Sequence, residues 1–253
     1  MLTVPILYYH LIKAPPANSP NSSIYIKPPR FARQLRLLKL LGYRGIGFEE
    51  FMEHLESGKK PPGRPVIITF DDGHEDNLTH ALPILKQQGF PATVFVVAGF
   101  IGRSLRLRSG ADPQGERILS RDQIRQLVRE GMDVQSHGMT HANLADLPAN
   151  KAEEEIRRSK EILEDITERP VRYFSYPYGS FKPAHLEMVA QAGYRAAVST
   201  VRGKRHSLEE RFCLKRIPVH NDLSLPGLVN ALYFKSYRRA QAQLDRLRGH
   251  QAS

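Results

Sequence analysis

Two carboxylates stand side by side in Thr69-Phe70-Asp71-Asp72-Gly73-His74, directly after the apolar run Val66-Ile67-Ile68. The run reads as a buried strand, so both acids fall where a strand ends. Neighbouring carboxylates raise each other's proton affinity and are costly to bury, so they need a cation, a hydrogen-bond network or solvent beside them. A metal on one and proton transfer by the other would meet that need; a plain Asp-Asp-Gly turn is the other reading of the same residues. A second segment, Ser136-His137-Gly138-Met139-Thr140-His141, follows the run Met132–Gln135 and sets two imidazoles four residues apart. Two histidines and one carboxylate suit zinc, copper, nickel or iron and leave positions open for water and substrate. The third segment, Phe174-Ser175-Tyr176-Pro177-Tyr178-Gly179, ends another apolar run with a turn. It offers aromatic surface to a sugar ring and the Tyr178 N–H to an oxyanion.

Placing three such segments at strand ends requires a repeated architecture. Seven short apolar runs read as strands: Val4–Tyr9, Val66–Phe70, Thr93–Val97, Met132–Gln135, Val171–Tyr176, Ala196–Thr200 and Leu214–Val219. Between them Phe31–Leu41, Asn77–Gln88, Arg121–Glu130, Lys151–Thr167 and Lys182–Ala192 carry 3.6-residue periodicity. This alternation predicts an α/β fold with a parallel sheet, a barrel or nearly closed sheet of about seven strands. In Lys151–Thr167, Ile156, Ile162 and Leu163 form the apolar face, while Glu153, Glu154, Glu155, Arg157, Arg158 and Lys160 read as solvated charge. Ala14–Ser22 and Gly102–Glu116, the latter with Arg103, Arg106, Arg108, Gly110 and Pro113, read as surface loops. Residues 1–222 are expected to form the barrel. Residues 223–253 read as a basic C-terminal helical extension on or beside it, with Leu228, Leu232, Leu244 and Leu247 at helical spacing and Arg238, Arg239, Arg246 and Arg248.

The composition narrows the chemistry further. With 253 residues, 41% hydrophobic and 25% charged, the chain can bury a full core and is not a disordered polymer. Its single cysteine, Cys213, excludes an intrachain disulfide and a cysteine-based zinc cluster, so a metal site must use His and carboxylates. Thirty-seven Lys and Arg against 26 Asp and Glu leave +11, which attracts anions in general. No nucleic-acid-binding motif accompanies that charge, and no nucleic-acid partner is expected. No apolar run reaches 18 residues, so no membrane span is expected. The start lacks the features of a signal peptide, which predicts a cytoplasmic protein as written and an extracytoplasmic one if the start is trimmed.

Taken in order, Thr69–Gly73, Ser136–His141 and Phe174–Gly179 resemble the motifs of the polysaccharide deacetylases of carbohydrate esterase family four, the NodB-type homology domain. Tyr8-Tyr9-His10, Pro83–Val97 and Ser159–Leu163 extend the resemblance over most of residues 4 to 220, and the Tyr176-Pro177-Tyr178-Gly179 variant of the third motif resembles the branch acting on poly-N-acetylglucosamine. The resemblance implies a distorted (β/α) barrel with the site at the carboxyl ends of its strands. It implies an N-acetylated carbohydrate substrate and a divalent metal, Zn2+ by default with Ni2+ or Co2+ as alternatives. Asp71 becomes the general base; Asp72, His137 and His141 become metal ligands; Pro177, Tyr178 and Gly179 line the substrate, and His74 is placed with them by its nearness in sequence to the acidic turn. The catalytic acid is His220 or His10, each at the end of a strand. Three departures accompany these matches. Ser175 stands where many members carry an Arg that orients the base, and Arg172, three residues earlier, should face the opposite side of the strand. The Trp-containing motif is absent, and Ile217-Pro218-Val219-His220 only approximates the final Leu-x-His. A carbohydrate-binding protein without turnover is therefore the alternative function. The His residues at 54, 80, 185, 206 and 250 read as solvated.

Overall fold

The computed structural model describes residues 1–16, 22–105, 115–234 and 242. All seven expected strands form: β1 (Ile6–Tyr9), β2 (Arg64–Phe70), β3 (Thr93–Val96), β4 (Asp133–Ser136), β5 (Tyr173–Ser175), β6 (Ala196–Arg202) and β7 (Leu214–Pro218). Each pairs in parallel with its successor. The pairs Ile217 with Leu7 and Pro218 with Tyr8 join β7 to β1 and close a seven-strand parallel barrel. Closure leaves no edge strand in the ring. A short strand, Tyr43–Gly45, adds to the first residues of β2 outside it.

The two-residue alternation of each strand divides the apolar side chains into two sets. Val66, Ile68 and Phe70 of β2 face outward, and with Val94, Val96, Phe174 and Ile217 they pack under the helices. These are α1 (Pro28–Leu40), α2 (Phe48–Ser57), α3 (Leu82–Gln88), α4 (Arg121–Arg129), α5 (Ala149–Thr167), α6 (Pro183–Gln191) and α7 (Leu225–Tyr233). Helix α2, not among the helical stretches read from the sequence, has a different job. Its Phe48, Phe51, Met52 and Leu55 join Ile6, Ile67, Phe95, Tyr173 and Leu214 in the inner set. Because Leu2 and Val4, which precede β1, and Ile46, whose N–H donates to the Val66 carbonyl near the start of β2, belong to the same set, α2 seals the amino end of the barrel. The carboxyl end is left for polar residues, as barrel chemistry requires.

Several local expectations need correction. The Asn77–Gln88 stretch opens with a π turn, Asn77–Ala81, before α3. Gly102–Glu116 is not loop throughout, since Ser104–Leu105 pairs antiparallel with Glu116–Arg117. Glu116 is buried there and takes Lys13 Nζ and, at 2.7 Å, the Tyr25 hydroxyl, which ties this strand to the segment after β1. Arg106, Arg108, Gly110 and Pro113 lie outside the described residues, as do residues 17–21 of the other loop. Of the basic extension, α7 docks on the barrel shell through Leu228, Ala231 and Leu232; its four Arg residues, Leu244, Leu247 and His250 lie outside the described residues. No described helix is long and apolar enough to cross a membrane.

His206 and His185 are buried, not solvated. His206 lies in Arg205–His206, which pairs with Leu2–Thr3 below the barrel, and its Nε2–H donates to the Val4 carbonyl at 2.9 Å. Nδ1 is buried without a partner, so a second proton would put an uncompensated charge in the core. Burial pushes its pKa down from 6.5 to about 4. A base with a depressed folded pKa binds fewer protons folded than unfolded, so stability is full above pH 6.5 and is lost as pH falls toward 4. We expect that loss to be about 3 kcal/mol, from about 1.4 kcal/mol per pKa unit. Urea unfolding at pH 7, 5.5 and 4 should show His206→Gln losing correspondingly less stability on acidification than the wild type.

Candidate active site

Asp71 and Asp72 leave β2 at the carboxyl end of the barrel, both 2% exposed. In extended backbone their side chains would point to opposite faces. Instead Asp72 and Gly73 turn left-handed, with φ of 73° and 80°. A Cβ on Gly73 would come within 2.9 Å of Val96 Cγ2, so both the turn and the space demand glycine. His141 and Tyr178 also have positive φ, leaving Glu168 at a helix end as the other such non-glycine among the described residues. Backbone strain is concentrated where the three motifs meet.

The sequence left open what supports Asp71. The structure answers with Arg216, fully buried in β7, whose Nη1 and Nη2 donate to Asp71 Oδ1 and Oδ2 at 2.8 and 2.7 Å. Ser175 leaves room for it: the Ser175 hydroxyl accepts from Arg216 Nη2 at 3.1 Å and donates to Asp71 Oδ1 at 3.3 Å. The guanidinium also donates to the Ser199 carbonyl at 2.9 Å and lies 4.4 Å from the Tyr8 ring centre. Arg172 faces outward to Glu49 at 3.2 Å, as its register requires. Burial alone would raise the Asp71 carboxyl; Arg216, followed by His137, outweighs it and holds the group below the ordinary carboxylate value. Two charged residues in Leu214-Lys215-Arg216-Ile217 were the available signal, since charges inside a buried strand require partners. Lys215 has Glu210, at 2.7 Å.

The two histidines are held from behind. His137 Nδ1–H donates to the Ser175 carbonyl at 2.7 Å, and His141 Nδ1 is hydrogen-bonded to the Tyr178 hydroxyl at 3.1 Å. Each bond holds its ring with Nε2 turned to the site, and the carbonyl acceptor places a proton on His137 Nδ1. Their loop is clamped by Glu155, which does not belong to the solvated face assigned to it. Glu155 is buried, and its carboxylate accepts the N–H of Met139 and Thr140 at 2.9 and 2.8 Å and the Thr140 hydroxyl at 2.6 Å. Spacing could have found it, because Ala152, Glu155, Ile156, Ser159 and Leu163 are the buried face of α5.

The remaining site residues divide. Tyr178 is 42% exposed with its ring 4.6 Å from that of His141, so it presents the aromatic face to solvent. Pro177 and Gly179 are buried and shape the turn; a Cβ on Gly179 would fall 1.9 Å from Thr200 Oγ1. His74 does not line an open cleft. It is fully buried, and its Nε2–H donates to Asp72 Oδ2 at 3.1 Å, orienting the carboxylate from below. His10 and His220 flank Tyr8, with ring centres 5.8 and 6.4 Å from it. The charges that act on His10, whose pKa burial lowers, are foremost Asp72 and Asp71; those acting on His220, also lowered by burial, are Asp222 and Arg202. Both histidines thus lie beside Tyr8, His10 under the field of the carboxylate pair and His220 under that of Asp222 and Arg202.

Asp72, His137 and His141 offer ligand atoms that all lie within 4.8 Å of one another. The Nε2 atoms of His137 and His141 approach Asp72 Oδ1 at 3.4 and 3.2 Å, and that oxygen is buried without a hydrogen-bond donor. An orphaned buried oxygen facing two imidazole Nε2 atoms fits a divalent cation of the zinc, nickel or cobalt type.

If Arg216 exists to hold Asp71 charged, removing either partner alone leaves a buried charge uncompensated. Arg216→Met is expected to cost about 3–5 kcal/mol in urea unfolding. Adding Asp71→Asn should recover a large part of that loss. Additive losses in the double variant would mean that the two groups do not act as a pair.

This geometry has relatives. The sequence profile described as polysaccharide deacetylase matches residues 58–197. YxkH of Bacillus subtilis (strain 168), which carries a provisional polysaccharide deacetylase name, is 28% identical over 235 residues, covering 93% of this chain and 77% of that protein. The poly-beta-1,6-N-acetyl-D-glucosamine N-deacetylase of Staphylococcus aureus (strain MSSA476) is 26% identical over 247 residues, covering 88% and 77%. Among solved structures, the Streptococcus pyogenes deacetylase PplD in complex with acetate superposes with a TM-score of 0.80 at 27% identity, covering 91% of this chain and 98% of that one. With the profile spanning more than half of its length and the barrel shared with these structures, the chain belongs to the polysaccharide deacetylase family.

Proposed function

We propose that the chain hydrolyses the N-acetyl amide of N-acetylglucosamine units in a poly- or oligosaccharide, with a divalent cation held by Asp72, His137 and His141. Zinc is the default for this donor set, with nickel or cobalt as alternatives. The observation that carries the reading is the buried, donorless Asp72 oxygen between two Nε2 atoms, one residue from a carboxylate neutralised by its own Arg216. The name of the Staphylococcus aureus relative supports the sugar, and the acetate bound to the Streptococcus pyogenes protein supports the acyl group.

Bound there, a divalent cation would supply Lewis-acid polarisation of the scissile carbonyl and greater acidity of the attacking water. Asp71, held charged by the bidentate guanidinium of Arg216, takes the proton of the attacking water. Arg216 fixes its rotamer and keeps it from competing with Asp72 as a ligand. His10 returns a proton to the nitrogen as the amide C–N bond breaks. The water's oxygen leaves in acetate, and the sugar keeps a free amine. Tyr178 presents its ring to the sugar. The alternative of a binding protein without turnover rested on the missing Arg and the missing Trp motif; Arg216 supplies a guanidinium for Asp71, which speaks against the first of these grounds and leaves the second.

The direct test is elemental analysis of protein purified without added metal, combined with acetate release from N-acetylglucosamine oligomers before and after chelation and metal return. Near-stoichiometric metal and chelator-sensitive acetate release are expected; a chain that binds no metal after reconstitution contradicts the proposal. His10→Asn should lower kcat by roughly 10²–10⁴, while His220→Asn changes it by no more than a few fold. Glu155→Gln, which weakens the clamp on the histidine loop, should weaken Zn2+ binding by roughly 10–100-fold, read by competition with a fluorescent chelator.

A further inference from the structure

The stretch of chain that carries the proposed acid is held by two buried side chains to which the chemistry above gives no part. His10 directly follows β1, and its ring meets that of Tyr8 edge to face. Among the described residues no hydrogen bond fixes either of its ring nitrogens. Its place is therefore set by its backbone, and that backbone is pinned at three points. The Tyr9 carbonyl accepts the Asp71 N–H at 2.9 Å. The His10 carbonyl accepts from Asn77 Nδ2 at 3.0 Å, and the Ile12 N–H donates to Asp76 Oδ1 at 2.6 Å.

Both clamping side chains are buried, Asn77 completely. Polar groups are kept in a core where hydrogen bonds offset their desolvation, and here the partners belong to the segment of the acid. Asn77 Nδ2 also donates to Asp76 Oδ1 at 3.3 Å, so the two residues brace each other. A carbonyl oxygen and a carboxylate oxygen on one side settle which end of the Asn77 amide faces them. Asn77 further opens the π turn Asn77–Ala81, in which the Leu82 N–H reaches back to the Asn77 carbonyl. Such turns recur at functional sites. Asp71, Asp72, Asp76 and Asn77 all fall between positions 71 and 77. One short stretch thus carries the proposed base, a proposed ligand and the clamp on the proposed acid.

We infer that Asp76 and Asn77 are positioning residues for proton return to the leaving nitrogen: they hold the Ile12 N–H and the His10 carbonyl, and through them the place of the His10 imidazole. The inference rests on the reading of His10 as the acid. Displacing a reacting group by about 1 Å can cost on the order of 10²-fold in rate. The clamp bears on one step, the departure of the amine as the C–N bond breaks and the nitrogen takes a proton from His10. Water attack and cation binding, which Asp71, Asp72, His137 and His141 serve, do not depend on it.

The test compares two substrates on the full chain loaded with zinc. An N-acetylglucosamine trimer needs a proton on its leaving nitrogen; 4-nitrophenyl acetate releases a phenolate that needs none. Asn77→Leu keeps the approximate shape of asparagine without its donor. It is expected to lower kcat on the trimer by roughly 10–100-fold, with KM, the ester rate and Zn2+ affinity each within about twofold of wild type. Asp76→Asn, which removes the charge and keeps an acceptor oxygen, should act in the same direction by severalfold, and it decides the matter alone if Asn77→Leu does not fold. His10→Asn is the reference, losing the amide reaction and sparing the ester. Equal losses on both substrates, a loss of Zn2+ binding, or undiminished trimer turnover in both clamp variants overturns the inference alone. Undiminished trimer turnover in His10→Asn overturns the reading of His10 as the acid and this inference with it. No acetate from either substrate with wild type overturns the deacetylase reading itself.

Discussion

Two adjacent carboxylates cannot both stay ionised in a barrel mouth unless each has its own compensation. Asp71 receives a bidentate guanidinium from β7; Asp72 receives two imidazoles in front and His74 behind. The left-handed turn at Asp72 and Gly73 separates the two environments within one peptide unit. The proposed chemistry follows from this division. In that proposal the carboxylate satisfied by Arg216 is kept from a cation, while the carboxylate with an orphaned oxygen takes it, so the same pair of residue types supplies a base and a ligand.

The rest of the barrel serves this arrangement. Closure of seven strands brings Arg216 of β7 across to Asp71 at the end of β2, 145 residues earlier in the chain. Helix α2 fills the amino end with aromatic side chains, so the polar groups are confined to the opposite mouth. Helix α5 reaches up with Glu155 to hold the histidine loop, and Ser175 gives its carbonyl to His137 and its hydroxyl to Asp71. A small residue at Ser175 and a long cation at 216 are complementary: with an arginine at both positions, the space around Asp71 would be overfilled and its charge overcompensated.

What the sequence disclosed was local. Asp71 to Gly73, His137 to His141 and Tyr176 to Gly179 carry their chemistry and their turn in consecutive residues, and the seven strands announce themselves as short β-branched runs. What it withheld depended on tertiary contact. Arg216 becomes meaningful only when the barrel closes. Glu155 was read with its solvated neighbours Glu153 and Glu154, although its spacing from Ala152, Ile156 and Ser159 places it on the buried face. His74 looked like a cleft residue because it follows the acidic pair, but the turn at Gly73 sends it beneath Asp72. His206 looked solvated because a two-residue strand gives no periodic signal.

The division of labour between Asp71 and Asp72 is the centre of this account, and calorimetric titration of Zn2+ into chelator-treated protein tests it most directly. Wild type and Asp71→Asn should each bind one zinc ion with similar affinity, while Asp72→Asn binds far more weakly and both variants fail to release acetate. Loss of zinc binding in Asp71→Asn with retention in Asp72→Asn would contradict it.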